Sequence, residues 1–182
     1  GVVYTGFADG VLVAMKATTG EVIWTKSLAG GRRRFVDIDT TPVLHEGKIL
    51  TASYASGLYA LSPRTGSVVW SYSQAAIASV VPSRYGPFIV APKAGLIALD
   101  GSGQERWRQS YPKGVPSEPL IAGPYVIVGG TESGLAVAEA RSGRLVQYFD
   151  PGYGISARAS RSEQTVAVVS NRGLLYVFDV AL

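Results

Sequence analysis

Apolar residues along this chain come in short runs rather than at helical spacing. Val11-Leu-Val-Ala14, Leu58-Tyr-Ala-Leu61 and Leu96-Ile-Ala-Leu99 are each closed by Gly, Ser, Asp or Thr. No stretch the length of a short helix repeats apolar positions at i, i+3, i+4 and i+7, so the pattern reads as strands and hairpins. The runs also recur. A glycine opens an apolar strand at Gly10, Gly57, Gly95, Gly134 and Gly173, with steps of 47, 38, 39 and 39 residues. A sustained period of about 40 residues marks a repeat architecture.

The second copy shows the unit. Thr41 to Leu44 is a short first strand and Lys48 to Tyr54 a second. Ser56-Gly57 turns into a third, Leu58 to Leu61, and Arg64-Thr65-Gly66 turns into a fourth that begins at Ser67. Glycine suits these joints because tight turns need positive φ, which costs it little. Four antiparallel strands in about 40 residues make a propeller blade. The fold class is therefore all-β, a β-propeller of four-stranded blades, with about 4.5 blades present in one partial domain spanning 1–182. The blade segments are 1–28, 39–73, 77–110, 117–149 and 156–180. The first lacks an inner strand and the last an outer one. A propeller hides its sheet edges by closing into a ring, so Gly1 reads as an internal cut and Leu182 as lying close to the C-terminus. The whole protein is expected to be about twice this length.

Three fourth strands carry a tryptophan four residues after the turn glycine: Trp24, Trp70 and Trp107. In the fourth copy that place is Gln147, with Tyr148 beside it. A ring at one fixed place per blade suits the wedge between neighbouring blades, so these tryptophans are assigned to blade packing. Pro42, Pro82 and Pro119 recur at the first strand. Proline cannot donate to a ladder and belongs at strand starts or edges, and the innermost strand is an edge. Thr40, Thr41, Ser79, Ser83, Ser117, Ser156 and Ala157 cluster there too, which crowding near the axis explains.

The 182 residues are 47% hydrophobic and 16% charged, enough for a sizeable core. No apolar run is long enough to span a membrane. The absence of cysteine excludes disulfides, thiolate metal sites and cysteine nucleophiles. Net charge is +4, and Arg32-Arg33-Arg34 is the densest basic cluster. A triplet without interleaved aromatics is a weak nucleic-acid footprint, so no nucleic-acid partner is expected. The single histidine, His45, reads as a solvated turn residue. No G-x-S-x-G elbow and no phosphate-binding loop occurs. Asp37 and Asp39 form one i,i+2 pair, on the same side if extended, but lack the oxygen-rich neighbours of a calcium loop. No catalytic constellation is visible, and no cofactor or metal is expected.

The run Ala60-Leu-Ser-Pro-Arg-Thr65-Gly66-Ser-Val-Val-Trp70 resembles the repeat of pyrroloquinoline-quinone-type propellers, and Ala14 to Trp24 follows it less closely. That repeat is shared by enzymes and non-enzymes and gives fold, not function. A more specific match is Arg34-Phe-Val-Asp37-Ile-Asp39-Thr-Thr-Pro-Val43, which resembles the R-x-x-D-x-D-T-T-P-V segment of the BamB family, lipoprotein scaffolds of the outer-membrane β-barrel assembly machinery. The likeness continues to the Trp70 strand, and Gly173 to Tyr176 resembles the family's last strand. It implies an eight-bladed ring of which this chain is the C-terminal half. It further implies a non-catalytic periplasmic scaffold at the outer membrane, assisting assembly of β-barrel proteins. Its acidic loop would face the POTRA domains of the barrel-forming partner, with Asp37 and Asp39 as contacts and Arg34 beside them. The lipid anchor would lie outside this chain. Phe35 and Val36 depart from the family's smaller, more polar pair. Two other readings remain at this stage: a sensor or ligand-binding propeller attached to another domain, and a fragment of a quinone-dependent dehydrogenase. Either way, the open blade edges predict self-association of the isolated segment.

Overall fold

The computed structural model describes residues 1–31, 34–111 and 113–180. Arg32 and Arg33 of the basic triplet, and Leu182, lie outside the described residues. The chain is all-β, with no helix among the described residues. Its strands are β1 (Val2–Gly6), β2 (Val11–Lys16) and β3 (Val22–Ser27); β4 (Val43–His45), β5 (Lys48–Ser53), β6 (Gly57–Leu61) and β7 (Val68–Tyr72); β8 (Ser79–Val81), β9 (Phe88–Ala91), β10 (Gly95–Leu99) and β11 (Glu105–Gln109). They continue as β12 (Leu120–Ala122), β13 (Tyr125–Gly130), β14 (Ser133–Glu139) and β15 (Leu145–Phe149), then β16 (Ser160–Ser162), β17 (Thr165–Val169) and β18 (Leu175–Asp179).

Every pairing is antiparallel between consecutive strands, giving three four-stranded sheets flanked by two three-stranded ones. This is the arrangement of a partial propeller. In all four sheets with an outer strand the register slips at one equivalent point: Ala14/Met15, Ala60/Leu61, Ala98/Leu99 and Val137/Ala138. Such a bulge increases local twist. It sits just past the residue paired with Trp24, Trp70, Trp107 or Gln147.

Burial is set by sheets packing face to face. Leu12, Ile49 and Leu61 join the first sheet to the second. Leu50, Leu58, Ile89 and Ile97 join the second to the third. Phe88, Leu96, Val126 and Ala136 join the third to the fourth. Leu135, Ile155, Val166 and Val168 join the fourth to the fifth. At the first three junctions a tryptophan crosses the gap. Trp24 Nε1 donates to the Pro63 carbonyl at 2.9 Å, Trp70 Nε1 to Gly101 at 3.1 Å and Trp107 Nε1 to Ala140 at 3.2 Å. Each ring lies on a turn glycine of the next sheet, Gly66, Gly103 or Gly143, with φ of 69°, 85° and 74°. A Cβ there would come within 2.7, 2.5 and 2.7 Å of the indole, so the seat requires glycine for space as well as for conformation. The fourth junction has Gln147 in the ring's place. It holds an apolar cavity of about 350 Å³ lined by Leu135, Val137, Phe149, Val166 and Phe178.

Several local expectations shift. Pro42 and Pro119 precede β4 and β12, but Pro82 follows β8 rather than opening it. Its missing N–H falls where the short inner strand has already ended. Gly10 and Gly173 stand in turns ahead of β2 and β18, whereas Gly57 and Gly95 open their strands. Among the small residues near the axis, Thr40 Oγ1 accepts from the Ala52 amide at 2.8 Å and Ser117 Oγ from the Gly129 amide at 3.0 Å. Both are buried. They satisfy second-strand donors that would otherwise be orphaned, a role beyond crowding. His45 is not solvated: it lies in β4 with its side chain 11% exposed, and burial pushes its pKa down against the opposing pull of Glu46.

Candidate functional site

The segment joining β3 to β4 carries the acid pair, and its backbone is held from both sides. The Ile38 amide donates to the Phe7 carbonyl of the first sheet at 3.2 Å, and the Tyr54 amide of the second donates to the Asp37 carbonyl at 2.9 Å. Ser53 Oγ donates to the Val36 carbonyl at 2.9 Å. The bond from a second-to-third-strand turn back to the incoming segment recurs, from Thr131 to Val115 and from Asn171 to Gly154. These segments and turns therefore form one end of the stacked sheets. Along 36–39 the residues alternate: Val36 and Ile38 are buried, Asp37 is half-buried and Asp39 exposed. The i,i+2 spacing thus turns both carboxylates away from the core.

The two acids do not share one environment. Asp39 lines a cleft of about 240 Å³ with Thr40, Thr41, Ser79 and Glu118, where the first strands of three sheets begin. Glu118 is already paired with Arg158 at 2.6 Å. Asp37 stands outside that cleft, beside Tyr54 through its own carbonyl. Among the described residues neither carboxylate accepts a hydrogen bond or forms an ion pair. The local alternative, an aspartate capping the turn at Thr40 and Thr41, has no bond in this geometry. The Thr40 and Ser53 hydroxyls organise the turn instead. Arg34 is exposed at the start of the segment. Trp24, Trp70 and Trp107 lie away from this end, at the junctions described above.

Sequence reasoning passed over two residues here. Phe35 is 69% exposed and has φ of 56°, and its ring lies 6.4 Å from that of Tyr54, itself 44% exposed. The departure of Phe35 from the family pattern was the one available signal. Its backbone conformation has no signature in the sequence.

The profile of the outer membrane protein assembly factor BamB family matches residues 1–82 and 55–181. The chain belongs to that family. The BamB assembly factor of Legionella pneumophila (strain Paris) is 27% identical over 98% of this chain and 48% of its own length. The chain therefore spans about half the length of the curated relatives it matches. The crystal structure of BamB from Moraxella catarrhalis superposes with a TM-score of 0.76 at 19% identity, over 98% of this chain and 55% of that one. That likeness is one of fold. A serine/threonine-protein kinase of Streptomyces griseus, AfsK, is 33% identical over 71% of this chain but only 17% of its own length. The same kind of unit thus serves in unlike proteins, and the BamB-family profile is the match that extends across this chain.

Proposed function

We propose that this segment is part of a non-catalytic scaffold that assists assembly of outer-membrane β-barrel proteins from the periplasmic side, anchored by lipid outside the present chain. Its docking surface is the end of the sheets that carries Asp37, with Asp39 and Arg34 beside it, and its partner is the POTRA region of the barrel-forming protein. The observation that carries this reading is a half-buried carboxylate with no bond to any described residue on a backbone fixed from two sheets. A carboxylate held that way offers acceptor-only oxygens to a partner Arg or Lys without reorganising. Family membership supplies the context, and the side chains at this end suit binding rather than turnover.

The test is affinity against stability. Asp37→Ala is expected to weaken binding to purified POTRA domains by about 2–5 kcal/mol if the charge pair is buried. Stability should move by less than about 0.5 kcal/mol, as for a surface side chain without local bonds. A lower melting temperature with unchanged affinity would return Asp37 to a structural role. For the isolated segment we propose self-association through β1 and β18, whose free ladder groups are open to another strand.

A further inference from the structure

We propose that Phe7, Phe35 and Tyr54 form the apolar centre of the docking surface, with Asp37 and Asp39 as its charged rim, and that its occupant is a folded protein surface presenting an aliphatic side chain between lysines or arginines. This rests on the docking reading above and adds to it the chemistry of the partner.

Three rings stand exposed on neighbouring, hydrogen-bonded backbone. Phe7 is 48% exposed, Phe35 69% and Tyr54 44%. The Phe7 carbonyl receives the Ile38 amide, and the Asp37 carbonyl receives the Tyr54 amide. The aromatic residues and the acids therefore move as one body. Folding alone does not account for Phe35. Its side chain is largely outside the core, and its φ of 56° is one that a bulky residue adopts only under strain. Gly30 and Gly31, a few residues earlier, take positive φ freely. A ring kept in a conformation that favours glycine, and left in solvent, gives little to the fold. Interfaces draw their affinity from such preorganised aromatic anchors.

Charge selects the occupant. The rim carries carboxylates, so the facing groups are cationic, and a cation beside these rings also gains from their π faces. A second copy in a two-fold contact would set the same acids against each other. An anionic membrane surface would be repelled in the same way.

The experiment uses the whole protein that carries this segment, with purified POTRA domains as the probe. Phe35→Gly removes the ring and places at φ 56° the residue that takes it without strain, so folding is retained. The dissociation constant is expected to rise roughly tenfold or more with no fall in melting temperature, and Phe35→Tyr should restore the affinity. If Asp37→Ala weakens binding while Phe35→Gly leaves it unchanged, this inference is overturned and the docking reading stands. If neither variant changes the affinity, the docking reading itself fails. If Phe35→Gly changes the sedimentation of the protein alone but not its affinity for the probe, the cluster is a contact between copies, which overturns the proposal.

Discussion

The third sheet and the fifth are built from similar sequence and end in opposite states. Strand β10, Gly95 to Leu99, is buried at every residue. Strand β18, Leu175 to Asp179, alternates between exposed and half-buried, with Leu175 64% and Val177 58% exposed. The residues are comparably apolar, so the difference lies in neighbours. The third sheet has a sheet on each face and an outer strand, β11, on its edge. The fifth has one packed face and no fourth strand. Burial in this architecture is a property of position in the stack.

The sharpest way to break this comparison is to place the same charge in both sheets. Ile97→Lys buries an unpaired ammonium between the second and third sheets and should cost more than about 4–5 kcal/mol, abolishing cooperative unfolding in urea. Val177→Lys, on the bare face, should change stability by less than about 0.5 kcal/mol. Dynamic light scattering should also show it reducing self-association of the isolated segment. Equal effects would mean that the fifth sheet's outer face is covered in solution.

The junctions provide the second contrast. Trp70→Ala removes a ring that lies on Gly103 and bonds Gly101, and should cost about 3–5 kcal/mol by chemical denaturation. Gln147→Ala, at the equivalent place beside the cavity, should cost less than about 1 kcal/mol. Acrylamide quenching that found Trp70 freely accessible in the folded chain would contradict the first of these.

The smallest effect is electrostatic. Tyr72 of the second sheet donates to Glu105 of the third, which also accepts from Arg108 at 2.8 Å. The Arg108 bond, then the tyrosine bond, holds the Glu105 pKa below its ordinary value. A depressed carboxylate contributes stability above its unfolded pKa and loses it as pH falls through the folded one. The side chains are about one-third exposed, at 36% for Arg108 and 33% for Glu105, so screening limits the contribution to roughly 0.2–1 kcal/mol. Glu105→Gln should shift the urea midpoint at neutral pH, and the difference should vanish in acid. The fifth sheet, without an outer strand, has no counterpart of β11 to carry such a link.

The repeat, the strand order and the tryptophan period were legible because turn glycines and indoles are chosen for geometry and reappear at fixed spacing. The tryptophans' acceptors were not. They are the backbone carbonyls of Pro63, Gly101 and Ala140, three unlike residues, so the bond leaves no residue pattern. Thr40 and Ser117 stood out as small residues, but each lies three positions ahead of an inner strand, and that spacing was the missed sign of a shared hydroxyl acceptor. At the candidate site the acid pair was legible from its resemblance to the family. Its division between a cleft and an open surface was not, because it follows from the neighbouring sheets that supply Ser79, Glu118 and Tyr54.

The ring-on-glycine joint also bears on how such a chain grows. The second and third sheets each carry both halves of the joint, an indole on the outer strand and a glycine seat on the turn before it. Tandem duplication of one such segment therefore copies a matched pair, and the newcomer fits its parent on either side without new mutations. Loss of a segment heals in the same way. Gln147 marks the one junction of this chain where that inheritance has lapsed, and sequence drift there is released from the constraint that still ties Trp24, Trp70 and Trp107 to their neighbours.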